Sequence, residues 1–188
     1  MATTRKTEVV TGAARLGYAK LWDPELNDRG EEKYSVCVMI PKKDTATVNA
    51  VKAAIAAATE DGLASKFDGK KAGVKNPLRD GDELDEDGER VKGEEFKGMY
   101  YFNASAAKRR PILLDKNKNE ILDKTEIYSG CWANVAVNFY PYNVDKSKGI
   151  AAGLNAVRKL KDDENLGGGI STESAKGMFE DADDEDDI

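Results

Sequence analysis

The run Cys131–Tyr142 alternates without a break, and that alternation decides the class of fold. Cys131, Ala133, Val135, Val137 and Phe139 make one face apolar. Trp132, Asn134, Ala136, Asn138, Tyr140 and Tyr142 make the other face mixed. A period of two over this length is the signature of a strand with one face buried. Lys33–Ile40 repeats the pattern. Tyr34, Val36, Val38 and Ile40 take one face; Lys33, Ser35, Cys37 and Met39 take the other.

Further strands are expected at 8–22, a long run interrupted by glycine, and at Phe96–Ser105, Arg110–Asp115 and Lys148–Leu160. Glycines inside a strand often mark a bulge or a barrel corner. Asp23-Pro24 is expected to end the first strand, and Asn27–Gly30 and Asn143–Ser147 to form turns. One helix is expected, capped by Asp44 and stopped by Gly62, with Val48, Val51, Ile55 and Ala58 on one face. Residues 63–95 read as a long loop. About five principal strands, one inserted helix, a long loop and a disordered acidic C-terminal tail suggest a mainly β fold, an antiparallel OB-fold barrel. The expected organisation is a barrel domain over 1–161 and a flexible acidic tail over 162–188.

Charge is distributed unevenly. The net charge is −6, from 29 bases and 35 acids. Seven of those acids fall in the last nine residues, and nine more lie between Asp80 and Glu95 beside two bases. What remains is a body of about +8, able to attract polyanions. The tail offers Phe179, Glu180, Asp181, Asp183, Asp184, Glu185, Asp186, Asp187 and Ile188 as a partner-binding segment. Joined through Gly167–Gly169, it can compete for the chain's own basic surface at high effective concentration.

Several chemistries are disfavoured. There is no histidine, so the commonest general base and the histidine metal sites are absent. Cys37 and Cys131 form no Cys-x-x-Cys pair and read as reduced, buried thiols. No secretory signal or membrane-spanning run is seen, so a cytoplasmic location is expected. Lys70–Gly73 lacks the spacing of a P-loop. Asp115–Glu126 matches a calcium loop at several positions, but Glu120 stands where the turn needs glycine. A polar hairpin is the expected form. The Asp80–Asp87 acids read as a solvated loop. No catalytic residue, metal or cofactor is assigned.

The remaining signal is a set of aromatics, amides and cations. Trp132, Asn134, Asn138, Tyr140 and Tyr142 share the mixed face of the best strand; Lys97, Tyr101 and Asn103 share one face of its neighbour. Arg15, Lys20, Lys33, Lys148, Arg158 and the triplet Lys108-Arg109-Arg110 add positive charge. Rings can stack unpaired bases while cations track a phosphate backbone.

Four segments carry a family resemblance: Lys33–Asp44, Asn76–Glu83, Tyr128–Tyr142 and Lys148–Asn155. With them the chain resembles, over roughly residues 8–169, bacteriophage single-stranded DNA-binding proteins of the OB-fold type, similar in style to the T-odd phage replication protein. The resemblance implies sequence-tolerant binding of single strands in phage DNA replication or recombination. It implies an acidic tail that contacts polymerase or helicase and mediates dimers. It places groove-facing rings and amides at Trp132, Asn134, Tyr140 and Tyr142. Tails of this style often end in Phe; this one ends in Ile188. The rival readings are an acidic interaction module that mimics DNA, a calcium-binding module and a metal-dependent nuclease.

Overall fold

The computed structural model describes residues 5–167 and Lys176. Among these the order is β1 (Glu8–Val10), β2 (Ala14–Leu26), β3 (Glu32–Pro41), α1 (Thr45–Ser65), β4 (Val74–Lys75), β5 (Arg79–Asp80), β6 (Met99–Ala107), β7 (Ile112–Leu114), β8 (Trp132–Val144) and β9 (Ser147–Lys161). A 3-10 turn, Glu94–Phe96, precedes β6.

Five strands close a barrel in the order β2-β3-β6-β9-β8, and β8 returns to β2 through Ala14↔Ala133 and Arg15↔Trp132. All these neighbours are antiparallel except β6 and β9, which run parallel at Ala104↔Ala152. The five-strand barrel is the one expected from the strand pattern, save that β6 and β9 close it in parallel. One strand can serve two neighbours because β2 bends: its register with β3 shifts between Gly17 and Lys20, and again between Lys20 and Glu25.

The alternation fills the interior as expected. Val36, Val38 and Ile40 meet Phe102, Val135, Val137, Phe139 and Val157 in one buried cluster. Phe102 and Phe139 pack with ring centres 5.4 Å apart. The helix adds Val48, Val51, Ala54, Ile55 and Ala58 to that cluster, so it plugs the barrel. The Asp44 carboxylate accepts the Thr47 N–H at 3.1 Å and the Thr47 hydroxyl at 2.6 Å. A cap of this kind stabilises a helix by about 1 kcal/mol.

Four expectations need correction. Gly62 does not stop the helix, which continues to Ser65. It lies against Phe67, whose ring a Cβ at 62 would strike. The 8–22 run is two strands, parted near Gly12, whose N–H bonds to the Thr47 hydroxyl at 2.9 Å. Asp23-Pro24 does not end β2; Pro24 falls inside the irregular stretch before Glu25↔Lys33, where no ladder donor is needed. The 63–95 loop contains ladder: β4 joins β9, β5 joins β6, and Leu84 bridges Arg90.

Two turns follow their sequences closely. β8 and β9 are joined by Asp145 and Lys146, both with positive φ (50° and 66°), as a two-residue hairpin turn requires. At 115–120 the Asp115 carboxylate accepts the N–H groups of Asn117 and Asn119, and Leu114 bridges Glu120, a polar hairpin. Among the described residues no three metal-ligating side chains converge.

Candidate nucleic-acid interface

The pleat that sends Val36 and Phe102 inward sends Lys33, Ser35, Asn103 and Ser105 outward. Register sets these side by side across β3 and β6: Ser35↔Ser105, Cys37↔Asn103 and Lys33↔Ala107. On the far side β8 and β9 pair Tyr140↔Ala151 and Tyr142↔Gly149. The result is an open cleft of about 540 Å³ across the outer face of the barrel. Lys33, Ser35, Asn103, Ser105 and Tyr142 line it. Small residues on β9 make room for the rings. A Cβ at Gly149 would lie 2.9 Å from the Tyr142 hydroxyl and 2.8 Å from Lys75.

A strap over 74–80 walls the cleft. β4 holds to β9 and β5 holds to β6, so the strap spans two strands and contributes Lys75, Asn76 and Arg79. Its anchor is a salt-bridge knot. Lys42 pairs with Asp80 at 2.6 Å and with Asp82 at 2.8 Å, and Arg90 pairs with Asp82 at 3.2 Å. Asp82 also accepts the Gly98 N–H. The Lys42 hydrogen bond, followed by that of Gly98, holds the Asp82 carboxyl well below the usual carboxylate range. The acidic segment is therefore not simply solvated: Asp80 and Asp82 fix the strap that presents Arg79.

Tyr18 stands at the other wall. It sits in the β2 bulge with φ 45° and is 67% exposed. A tyrosine in the left-handed region is strained, and such strain persists where the surroundings enforce it. Its ring lies 6.5 Å from Phe96, which meets Tyr101 edge-on at 4.9 Å. Lys92 lies over both Phe96 and Tyr101. Tyr101 is only 4% exposed and packs with Cys37, Met39 and Phe96, so its ring is not presented to the cleft. Burial pushes the Cys37 thiol up to about 12 and also raises Cys131. Both thiols are free and buried.

Of the expected residues, the fold brings Lys33, Asn103 and Tyr142 into the cleft. Tyr140, 42% exposed, and Asn138 share that outer face. The Asn138 amide oxygen accepts the Thr7 hydroxyl at 2.7 Å. Lys148 stands opposite Val74 at the foot of the strap. Lys108, Arg109 and Arg110 follow β6 at the Lys33 rim, with Arg110 4.9 Å over Trp22. Lys97 is exposed on the turn before β6, outside the cleft, and Lys20 pairs with Glu25 at 3.2 Å.

The fold sets the rest apart. Asn134 donates to Thr11 and accepts from Arg158, so this pair ties β8 and β9 to the chain after β1. Trp132 and Arg15 pair at the far end of β8, where Trp132 donates to Asp163 at 2.8 Å. Strand reading missed Tyr18, Ser35, Ser105, Lys75 and Arg79. Tyr18 carried a signal in the adjoining Gly17, and the strap in the Asn76–Glu83 motif.

Residues 7–188 match the family model described as Enterobacter phage Enc34, ssDNA-binding protein. The chain belongs to this Enc34 family. A relative, protein p50 of Acyrthosiphon pisum secondary endosymbiont phage 1, is 32% identical over 167 residues, covering 84% of this chain and 86% of its own. The single-stranded DNA-binding protein of bacteriophage Enc34, solved in complex with single-stranded DNA, is 27% identical with a TM-score of 0.65, over 88% of this chain and 97% of that one. The single-stranded DNA-binding protein of bacteriophage T7 shares the fold at 16% identity and a TM-score of 0.57, over 91% and 99%. The barrel is thus the OB fold of an Enc34-family chain. No described helix is long and apolar enough to cross a membrane. The tail residues from Phe179 to Ile188 lie outside the described residues.

Proposed function

We propose that this protein binds single-stranded DNA without strong sequence preference, in the cleft between Tyr18 and Tyr142. One observation carries the reading: the cleft combines flat rings, amides, hydroxyls and the cations Lys33, Lys75 and Arg79 on a barrel whose 27%-identical relative is described in complex with single-stranded DNA. Cations track the phosphates, and Tyr18 and Tyr142 stack bases. Tyr140, Asn138, Lys148 and the Lys108–Arg110 triplet extend the path along both rims. The protein acts as a binding protein rather than an enzyme, with no cofactor or metal, in phage DNA replication or recombination in the host cytoplasm. The barrel over 1–161 binds DNA. Of the tail over 162–188, the acids from Glu180 onward compete with DNA for the cleft and recruit a replication partner such as polymerase or helicase. Homodimer formation through the tail belongs to the same reading.

The test is fluorescence anisotropy of a labelled oligo-dT with the full chain and with a chain ending at Lys176. Both are titrated at low and moderate salt with duplex DNA as competitor. Preference for the single strand, and tighter binding by the shorter chain, is the expected result. No binding by either sinks the reading and makes the acidic interaction module the leading account.

A further inference from the structure

The far end of β8 holds a second basic and aromatic face that the cleft does not use. Arg15, Trp132, Tyr128, Lys159 and Lys161 meet there. Lys161 lies 5.2 Å over the Trp132 ring, and Lys159 lies 5.5 Å over Tyr128. This is the same pairing of cation and flat ring that fits a single strand. The face is covered by the chain that leaves β9, Asp162–Leu166. Its acids sit on the cations. Asp162 pairs with Lys159 at 2.7 Å and accepts the Tyr128 hydroxyl at 2.8 Å. Asp163 accepts the Trp132 indole N–H and lies 3.9 Å from Arg15. Gly130, with φ 116°, admits the covering segment, since a Cβ there would strike the Glu164 carbonyl.

We propose that this face is a second single-stranded nucleic-acid subsite, and that Asp162 and Asp163 hold it closed by occupying the positions of backbone phosphates. It rests on the cleft reading and extends it. Two further observations support it. The covering segment belongs to no strand or helix, and its ladder-like contact is the Leu166 N–H to Ser129 carbonyl bond at 2.8 Å. Asp162 is 73% exposed and Asp163 43%, whereas Lys159 and Arg15 beneath them are 12% and 14% exposed, so the carboxylates form the solvent side of each pair, where a polyanion can take their place. The second observation is continuity. Tyr18 lines both the main cleft and a smaller one, whose far wall is Ser129 and Leu166. Arg15 lies three residues before Tyr18 on the same strand, about 10 Å away at strand rise. Lifting the segment joins the two surfaces into one track.

Asp162→Asn/Asp163→Asn in the full chain weakens the cover without touching the core. Trp132→Phe does the same at constant charge, removing the indole bond to Asp163 and keeping a ring that can stack. Binding of oligo-dT of increasing length is measured against salt, with folding checked by near-ultraviolet circular dichroism. Both variants are expected to gain affinity severalfold on long oligonucleotides and nothing on the shortest that wild type binds. For two added phosphates the slope of log K against log salt steepens by about 1.4. Adding Lys161→Gln to either variant reduces the gain. Equal slopes and equal length dependence in the folded variants and wild type overturn the subsite. So does an equal gain in Asp85→Asn/Asp87→Asn, which removes the same charge elsewhere. Failure of the cleft reads differently: wild type then fails to bind even the short oligonucleotides.

Discussion

Tyr18 and Tyr142 both line the cleft, and they bear different costs. Tyr142 lies on regular strand over Gly149. Tyr18 is held at φ 45°, a conformation costing an L-residue about 1–2 kcal/mol. Stacking on a ring is worth about 1–3 kcal/mol per base. Tyr142→Ala is therefore expected to weaken oligo-dT binding about tenfold, and Tyr142→Phe to leave it within about twofold, because the face of the ring is kept. Tyr18→Gly separates function from stability. Glycine relieves the left-handed backbone, so the thermal midpoint holds or rises while affinity falls about tenfold. A fall in both would place Tyr18 among the structural residues instead. Gly149→Ala tests the same wall from beneath: the new methyl displaces the Tyr142 hydroxyl and Lys75, and affinity drops in a protein that still folds.

At the scale of elements, the strap depends on the Lys42–Asp82–Arg90 knot. The Asp82 carboxyl is held well below its ordinary value of 3.8, so its contribution is complete above about pH 4 and disappears as pH falls through the depressed value. Asp82→Asn is expected to lower the thermal midpoint at neutral pH. Its midpoint curve should converge on that of wild type as the solution is acidified. Parallel curves down to low pH would show that Asp82 does not anchor the strap. The sequence made the knot hard to see, because its partners lie 40 residues apart and two-residue strands have no periodicity to read. The long strands were legible for the opposite reason: Ala133–Phe139 alternates over enough residues to name the inner face, whereas Val36–Ile40 is buried throughout, because Cys37 and Met39 pack with Phe96 and Tyr101 on the other side of the strand. Alternation names a face but not a place along it. Trp132 and Tyr140 share a face of β8, yet eight residues of strand separate them by roughly 26 Å, so one cleft cannot hold both. Gly62 misled because a glycine near a helix end serves equally as a stop or as room for a neighbour, here Phe67.

For the whole molecule, the decisive quantity is how charge is divided. The chain is net negative, yet the cleft gathers Lys33, Lys75 and Arg79 against Glu25. Each phosphate neutralised on a single strand contributes about −0.7 to the slope of log K against log salt. The three cleft cations therefore contribute about −2 to that slope, the rim cations add to it, and Lys33→Ala or Arg79→Ala should each make it shallower by about 0.7. A loss of affinity at unchanged slope would mean that the residue packs rather than pairs. In the proposed competition, the seven acids of the last nine residues oppose the same attraction through space, and salt screens them too. The Debye length is about 30 Å at 0.01 M salt and about 3 Å at 1 M, so a through-space competition is strong at low salt and lost at high salt. Removing residues 177–188 should thus strengthen binding most at low salt and least at high salt. The two chains' plots should converge as salt rises, with the shorter chain the steeper. If the plots instead stay parallel, the tail acts by a short-range contact that salt does not screen, and its apolar residues Phe179 and Ile188 become the ones to replace.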